Sequence, residues 1–121
     1  MLTGILVGES LRVGAKLGGL PLHLHWVTSV DAAERAPGQP PRWTLLEFGA
    51  DDETAPDLAA ALARCLDPGP WYAKFTTTQE AYVVFADRVF HYERGDRSGR
   101  ARAVQYARTV GVPEVQLTWS D

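Results

Sequence analysis

Apolar and polar residues alternate with a period of two over much of this chain, and the period becomes helical in two places. From Ser10 to Leu17 (SLRVGAKL), Leu11, Val13, Ala15 and Leu17 fall on one side and Ser10, Arg12, Gly14 and Lys16 on the other, which predicts a half-buried strand. Gly18-Gly19 then reads as a hairpin turn. Residues 20–30 (LPLHLHWVTSV) predict its partner strand, with Leu22, Leu24 and Trp26 on one face and His23, His25 and Val27 on the other. Pro21 stands at the start of that strand, where a missing N–H donor is tolerated. Residues 31–41 (DAAERAPGQPP) hold three prolines, a glycine and little to bury, so they predict a mobile surface loop.

Residues 42–49 (RWTLLEFG) predict a third strand. Apolar residues on both of its faces point to a central place in a sheet. A helix follows over 55–66, with Thr54 as its cap, Pro56 in the first turn and Leu58, Leu62, Cys65 and Leu66 on the buried side. Asp67-Pro68-Gly69-Pro70 stops it.

Residues 71–77 (WYAKFTT), 81–85 (AYVVF) and 88–92 (RVFHY) are rich in aromatic and β-branched residues and predict a three-stranded meander. A second helix is expected over 98–110, capped by Asp96 or Ser98, with an apolar stripe of Ala101, Val104, Ala107 and Val110. Gly111 and Pro113 end it, and 115–119 (VQLTW) predict a last short strand. The fold class is therefore α+β: an antiparallel-rich sheet with two helices, in a ferredoxin-like element order (β-α-β-β-β-α-β) preceded by an N-terminal β-hairpin.

Length narrows the organisation. The 121 residues suit a single α+β domain spanning 1–121, and 45% apolar residues suffice for its core. One cysteine, Cys65, excludes an internal disulfide, and its place on the apolar side of the first helix predicts a buried, unreactive thiol. Met1–Val7 has no basic flank, and its apolar run is broken by Gly8, Glu9 and Ser10, so it does not read as a secretion signal. No run approaches the roughly 20 apolar residues of a membrane span. A cytoplasmic protein is expected. Arginine far outnumbers lysine, asparagine is absent and Ile5 is the only isoleucine, a bias that fits a GC-rich bacterial genome.

Net charge is −3, which argues against nucleic acid as partner. Arg94, Arg97, Arg100, Arg102 and Arg108 do gather late in the chain, diluted by Glu93 and Asp96. No phosphate-binding glycine loop, nucleophile elbow or paired-cysteine motif occurs, and the cofactor, if the chain has one, is unknown from the sequence.

Two features remain as candidate chemistry. His23 and His25, two apart on a strand, place two imidazoles on one face, the beginning of a metal site that needs at least one more ligand. The meander carries more aromatic residues than two helices on one face of a sheet can cover, so its second face is a candidate ligand surface or interface. Its candidate residues are Tyr72, Lys74, Tyr82 and Tyr92, with Arg88 and Arg94 placed to orient an anion.

The first reading is a non-catalytic binding or accessory module acting through that aromatic sheet face. It is expected to form a homodimer with Tyr72, Tyr82 or Tyr92 in or beside the interface, or to take a protein or small-ligand partner. The alternatives are a small enzyme or metal-binding protein using His23 and His25, and a small-ligand sensor or carrier with its ligand between the meander and loop 31–41.

Overall fold

A computed structural model describes residues 1–121. Six strands and two α-helices follow in the order β1 (Leu2–Val7), β2 (His23–Asp31), β3 (Arg42–Ala50), α1 (Ala55–Cys65), β4 (Ala73–Thr76), β5 (Glu80–Phe85), β6 (Arg88–Glu93) and α2 (Arg97–Thr109). Short 3-10 turns lie at Gly8–Ser10, Asp52–Thr54 and Glu114–Gln116. The strands form one sheet in the order β2-β3-β1-β4-β5-β6, and every neighbouring pair is antiparallel.

The first strand enters the middle of this sheet. β1 pairs with β3 along its whole length, Leu2 opposite Ala50 through Val7 opposite Leu45. On its other side Thr3, Gly4 and Ile5 pair with Thr76, Phe75 and Lys74. β3 and β4 are thus parallel to each other, joined through α1, with β1 inserted antiparallel between them: a split βαβ unit. Gly4 makes the insertion feasible. A Cβ there would lie 2.5 Å from Phe75 Cβ and 2.8 Å from Phe48 Cζ, because the two rings from the flanking strands close over it with centroids 6.4 Å apart.

The helices lie on opposite faces. α1 turns Leu58, Leu62 and its alanines onto Leu2 and Leu6 of β1, Phe48 of β3, Phe75 of β4, and Tyr82 and Val84 of β5. α2 sets Ala103, Val104 and Ala107 against Ala81, Val83 and Phe85 of β5 and Tyr92 of β6, with Val112 and Leu117 completing that core. Each large side chain so buried contributes roughly 1.5–3 kcal/mol. β5 is apolar on both faces because both are covered. α2 approaches closely through Gly99, where a Cβ would fall 2.3 Å from Tyr92 Cβ. Asp96 caps it, its carboxylate accepting the Ser98 N–H at 3.0 Å.

Both helices and the strands from residue 42 to 93 lie where periodicity places them, but two expectations are corrected. The N-terminal hairpin does not form. Residues 11–22 make one isolated bridge, Leu11 to Leu66, and otherwise run as a loop, with Leu11, Leu17, Leu20 and Leu22 resting on the α1 core. Gly14 sits at φ +89° beside a fully exposed Val13, so the weak alternation there is interrupted by a turn. β2 instead forms its hairpin with β3.

The expected strand at 115–119 is absent as well. Its carbonyls accept hydrogen bonds from side chains rather than from a neighbouring ladder, so the segment crosses the sheet instead of extending it. The element order is therefore β-β-β-α-β-β-β-α, without the closing strand of the expected plan. Loop 31–41 lies at the surface, as expected, and is anchored there by three buried side chains. Ala32, Ala36 and Gln39 are buried, and the Gln39 side chain accepts from Ala36 N–H at 2.8 Å and donates to the Pro70 carbonyl at 3.2 Å. Cys65 is buried as expected.

The close approaches at Gly4 and Gly99 are testable. Gly4→Ala and Gly99→Ala are each expected to destabilise the protein by about 1–3 kcal/mol through overpacking. Thermal or urea denaturation checks this, with Gly18→Ala as a comparison at an open loop position that has no left-handed backbone.

Candidate functional site

α2 covers β5 and β6 only, so it leaves the same face of the sheet open over β1 and β3, while the C-terminal segment lies against β4. Alternation delivers Thr3, Ile5 and Val7 of β1 to that bare area, opposite Leu2, Gly4 and Leu6 on the α1 side. The result is a groove of about 380 Å3. Ile5, still 43% exposed, lies in it among Trp43 and Glu47 of β3, Lys74 of β4, and Tyr72 and Trp119. Trp43 and Trp71 meet across the Val7 end of β1 with centroids 5.4 Å apart, and Tyr72 lies 5.6 Å from Trp119. The indole N–H of Trp43 is buried without a hydrogen-bond partner. A second hollow of about 320 Å3, between Trp43, Leu45 and the start of loop 31–41, shares Trp43 and Gln116 with the first.

The C-terminal segment forms one wall and is tied down by cations and hydroxyls. Tyr72 donates to the Gln116 carbonyl at 2.8 Å. Arg100 donates to the carbonyls of Leu117 and Trp119 at 2.9 and 3.0 Å and stacks on the Trp119 ring. Lys74 donates to the Ser120 carbonyl at 3.0 Å, and Arg94 to the Asp121 main-chain oxygen at 3.2 Å. Burial pulls the Lys74 amine below its ordinary value; Asp121 opposes this, while Arg94 and Arg100 reinforce it. On the far side, Gln116 reaches across to donate to the Glu34 carbonyl at 2.9 Å, joining the segment to loop 31–41.

The six candidate residues of the meander therefore divide. Tyr72 and Lys74 line the groove. Tyr82 faces α1, stacked between Phe75 and His91 at 4.8 and 5.2 Å, and is buried. Tyr92 is buried under α2 and the C-terminal segment, donating to Asp121 Oδ1 at 3.0 Å. Arg88 lies 5.0 Å from the ring centroids of Phe90 and Tyr106, away from the groove, and Arg94 is spent on main-chain oxygens. The surplus of aromatics that suggested a tyrosine-lined dimer interface is covered within one chain, because the helices occupy both faces and the C-terminal segment adds to the second. Of the late arginines, Arg94 and Arg100 donate to main-chain oxygens and Arg108 pairs with Glu114 at 2.7 Å, which disperses the basic cluster.

The histidines do not converge. A bulge between Leu24 and Trp26 breaks the regular alternation of β2. His25 lies over Gly49, and its Nδ1 is 3.0 Å from Glu47 Oε1. His91 is on β6, at the opposite edge of the sheet, 3.8 Å from Glu80. No group of three or more histidine, cysteine or acidic residues is placed to hold a metal ion, so His23 and His25 lack the third ligand that a site requires. Ile5, Trp43 and Trp119, which the groove uses, carry no signal of their own along the chain. β1 shows little alternation and the tail reads as a strand, so nothing in the sequence brings these residues together.

No family model matches the chain, and neither a curated protein nor a solved structure is significantly similar to it. No helix is long and apolar enough to cross a membrane.

Tyr92 offers a titration test of how the tail is seated. Burial chiefly pushes its phenol up to about 12, helped by Asp121 and opposed by the Trp119 N–H and Arg100. The neutral phenol is the form the fold favours. Its contribution to stability is thus fully present below the unfolded value near 10 and is lost as pH rises through about 12. Ultraviolet titration should show a component near pH 12 that Tyr92→Phe removes, while Tyr72 and Tyr82, which burial also raises, stay above the ordinary value in both proteins. A full set of tyrosines titrating near pH 10 would contradict the seating of the tail.

Proposed function

We propose that this protein is a non-catalytic binding module, acting as one domain over residues 1–121, and that its site is the groove over β3, β1 and β4. The ligand is a small, largely apolar molecule carrying a hydrogen-bond acceptor. The observation that carries this reading is the offset of α2, which leaves Ile5, Trp43, Tyr72 and Trp119 around one uncovered concavity. Concave, mostly apolar sites with a few polar groups are the usual form of small-molecule sites. The unpartnered Trp43 N–H supports the need for an acceptor, since a buried donor left unsatisfied costs about 1–3 kcal/mol. The adjoining hollow under loop 31–41 merges the binding-module reading with that of a ligand carrier. A cytoplasmic location is part of the proposal, as the single buried thiol calls for no oxidising compartment.

One contact favours a second reading, a small enzyme. Glu47 lines the groove and also holds His25, the pairing by which a carboxylate orients an imidazole base. His23 takes no part in that pair.

Binding of an apolar fluorescent anion such as anilinonaphthalene sulfonate, followed with the indole N–H resonances, tests the first reading. The Trp43 resonance should shift on binding, and Ile5→Glu should weaken binding by about ten-fold or more by filling the groove with a charge that repels the anion. His25→Ala should leave binding intact. Resonance shifts confined to residues outside the groove, or full binding by Ile5→Glu, would refute the assignment.

A further inference from the structure

We infer that the free edge of β2 is where two copies of this chain join, pairing antiparallel so that two six-stranded sheets continue as one. β2 is the longest exposed element of the fold and packs on β3 alone, since both core clusters lie on β1, β3, β4, β5 and β6. Leu24 is 60%, Trp26 40% and Val27 52% exposed, on a strand with water on both faces. A two-stranded ribbon without a covered face is marginal in water, so β2 gains most from a further strand.

The two edges of the sheet differ in how they are protected. β6, at the far edge, carries Arg88 at its start and Glu93 at its end and has α2 packed on one face. Between Leu24 and Val30, β2 holds no proline and no acidic or basic residue other than His25, so it lacks the charges and prolines with which exposed edges commonly resist pairing.

The partner that fits is a second copy in antiparallel register. The bulge at His25 lies toward one end and leaves Trp26–Asp31 as a regular ladder, which places the two-fold axis near Thr28. Around that axis the His23–His25 end of each strand meets the Asp31 end of the other. That register sets no like charges opposite one another and keeps the two Asp31 side chains apart. Trp26 and Val30, which share a face of the sheet, are brought opposite one another across the seam. A single strand edge makes a small contact, so the dimer belongs to the weak class of interface.

Sedimentation velocity from about 1 to 100 µM tests the inference. The mass should rise from 13.3 kDa toward twice that value with concentration. Val27→Lys places like charges near the axis and should weaken association by about ten-fold or more with an unchanged thermal melt, while Val89→Lys on the opposite edge strand should associate like the wild type. Hydrogen exchange gives an independent readout, because amides within 26–31 should gain protection as concentration rises. A mass of 13.3 kDa at every concentration overturns the inference. So does a dimer indifferent to Val27→Lys, or one that leaves the β2 amides unprotected.

Discussion

The fold depends on β1 lying between β3 and β4. This placement makes the β3–α1–β4 passage a split βαβ and lets one sheet span all six strands. It requires a residue without a side chain at Gly4, because Phe48 and Phe75 reach over that position from the neighbouring strands. The two rings and the leucines of α1 then form a single cluster with Leu2 and Leu6. Removing the space at Gly4 would separate the strands that carry those rings, and α1 would lose the surface it packs on.

A consequence of the same arrangement is a sheet with unequal cover. α1 spreads over the central strands on one side, whereas α2 sits over the β5–β6 end on the other. The C-terminal segment extends the cover of α2 only partway. Its carbonyls are taken by Tyr72, Lys74 and Arg100, so it lies across β4 toward β6 and leaves β1 and β3 uncovered. What remains is a concavity with an aliphatic floor, aromatic walls and one lysine, and a nearly bare ribbon of β2 and β3 beyond it. The groove and the open edge thus have one cause, which is the placement of two short helices on a wide sheet.

Local pattern alone determined a good deal. The helical periods of residues 55–66 and 98–110, the aromatic meander and the apolar third strand correspond to α1, α2, β4–β6 and β3, and the burial of Cys65 followed from its helical position. These features are local because each is written in the spacing of its own residues. Tertiary structure decided the rest. β1 shows little alternation, being buried against α1 on one side and lining the groove on the other, and only its two partner strands identify it. The alternation of residues 10–17 was present without any strand to pair with. The tail reads as a strand but finds side-chain donors instead of a ladder. The faces on which the two helices dock separated Tyr72 and Lys74, in the groove, from Tyr82 and Tyr92, in the cores, and brought Ile5, Trp43 and Trp119 together from distant parts of the chain. Periodicity states which residues share a face, but it carries no information about which face of the sheet a later helix will cover.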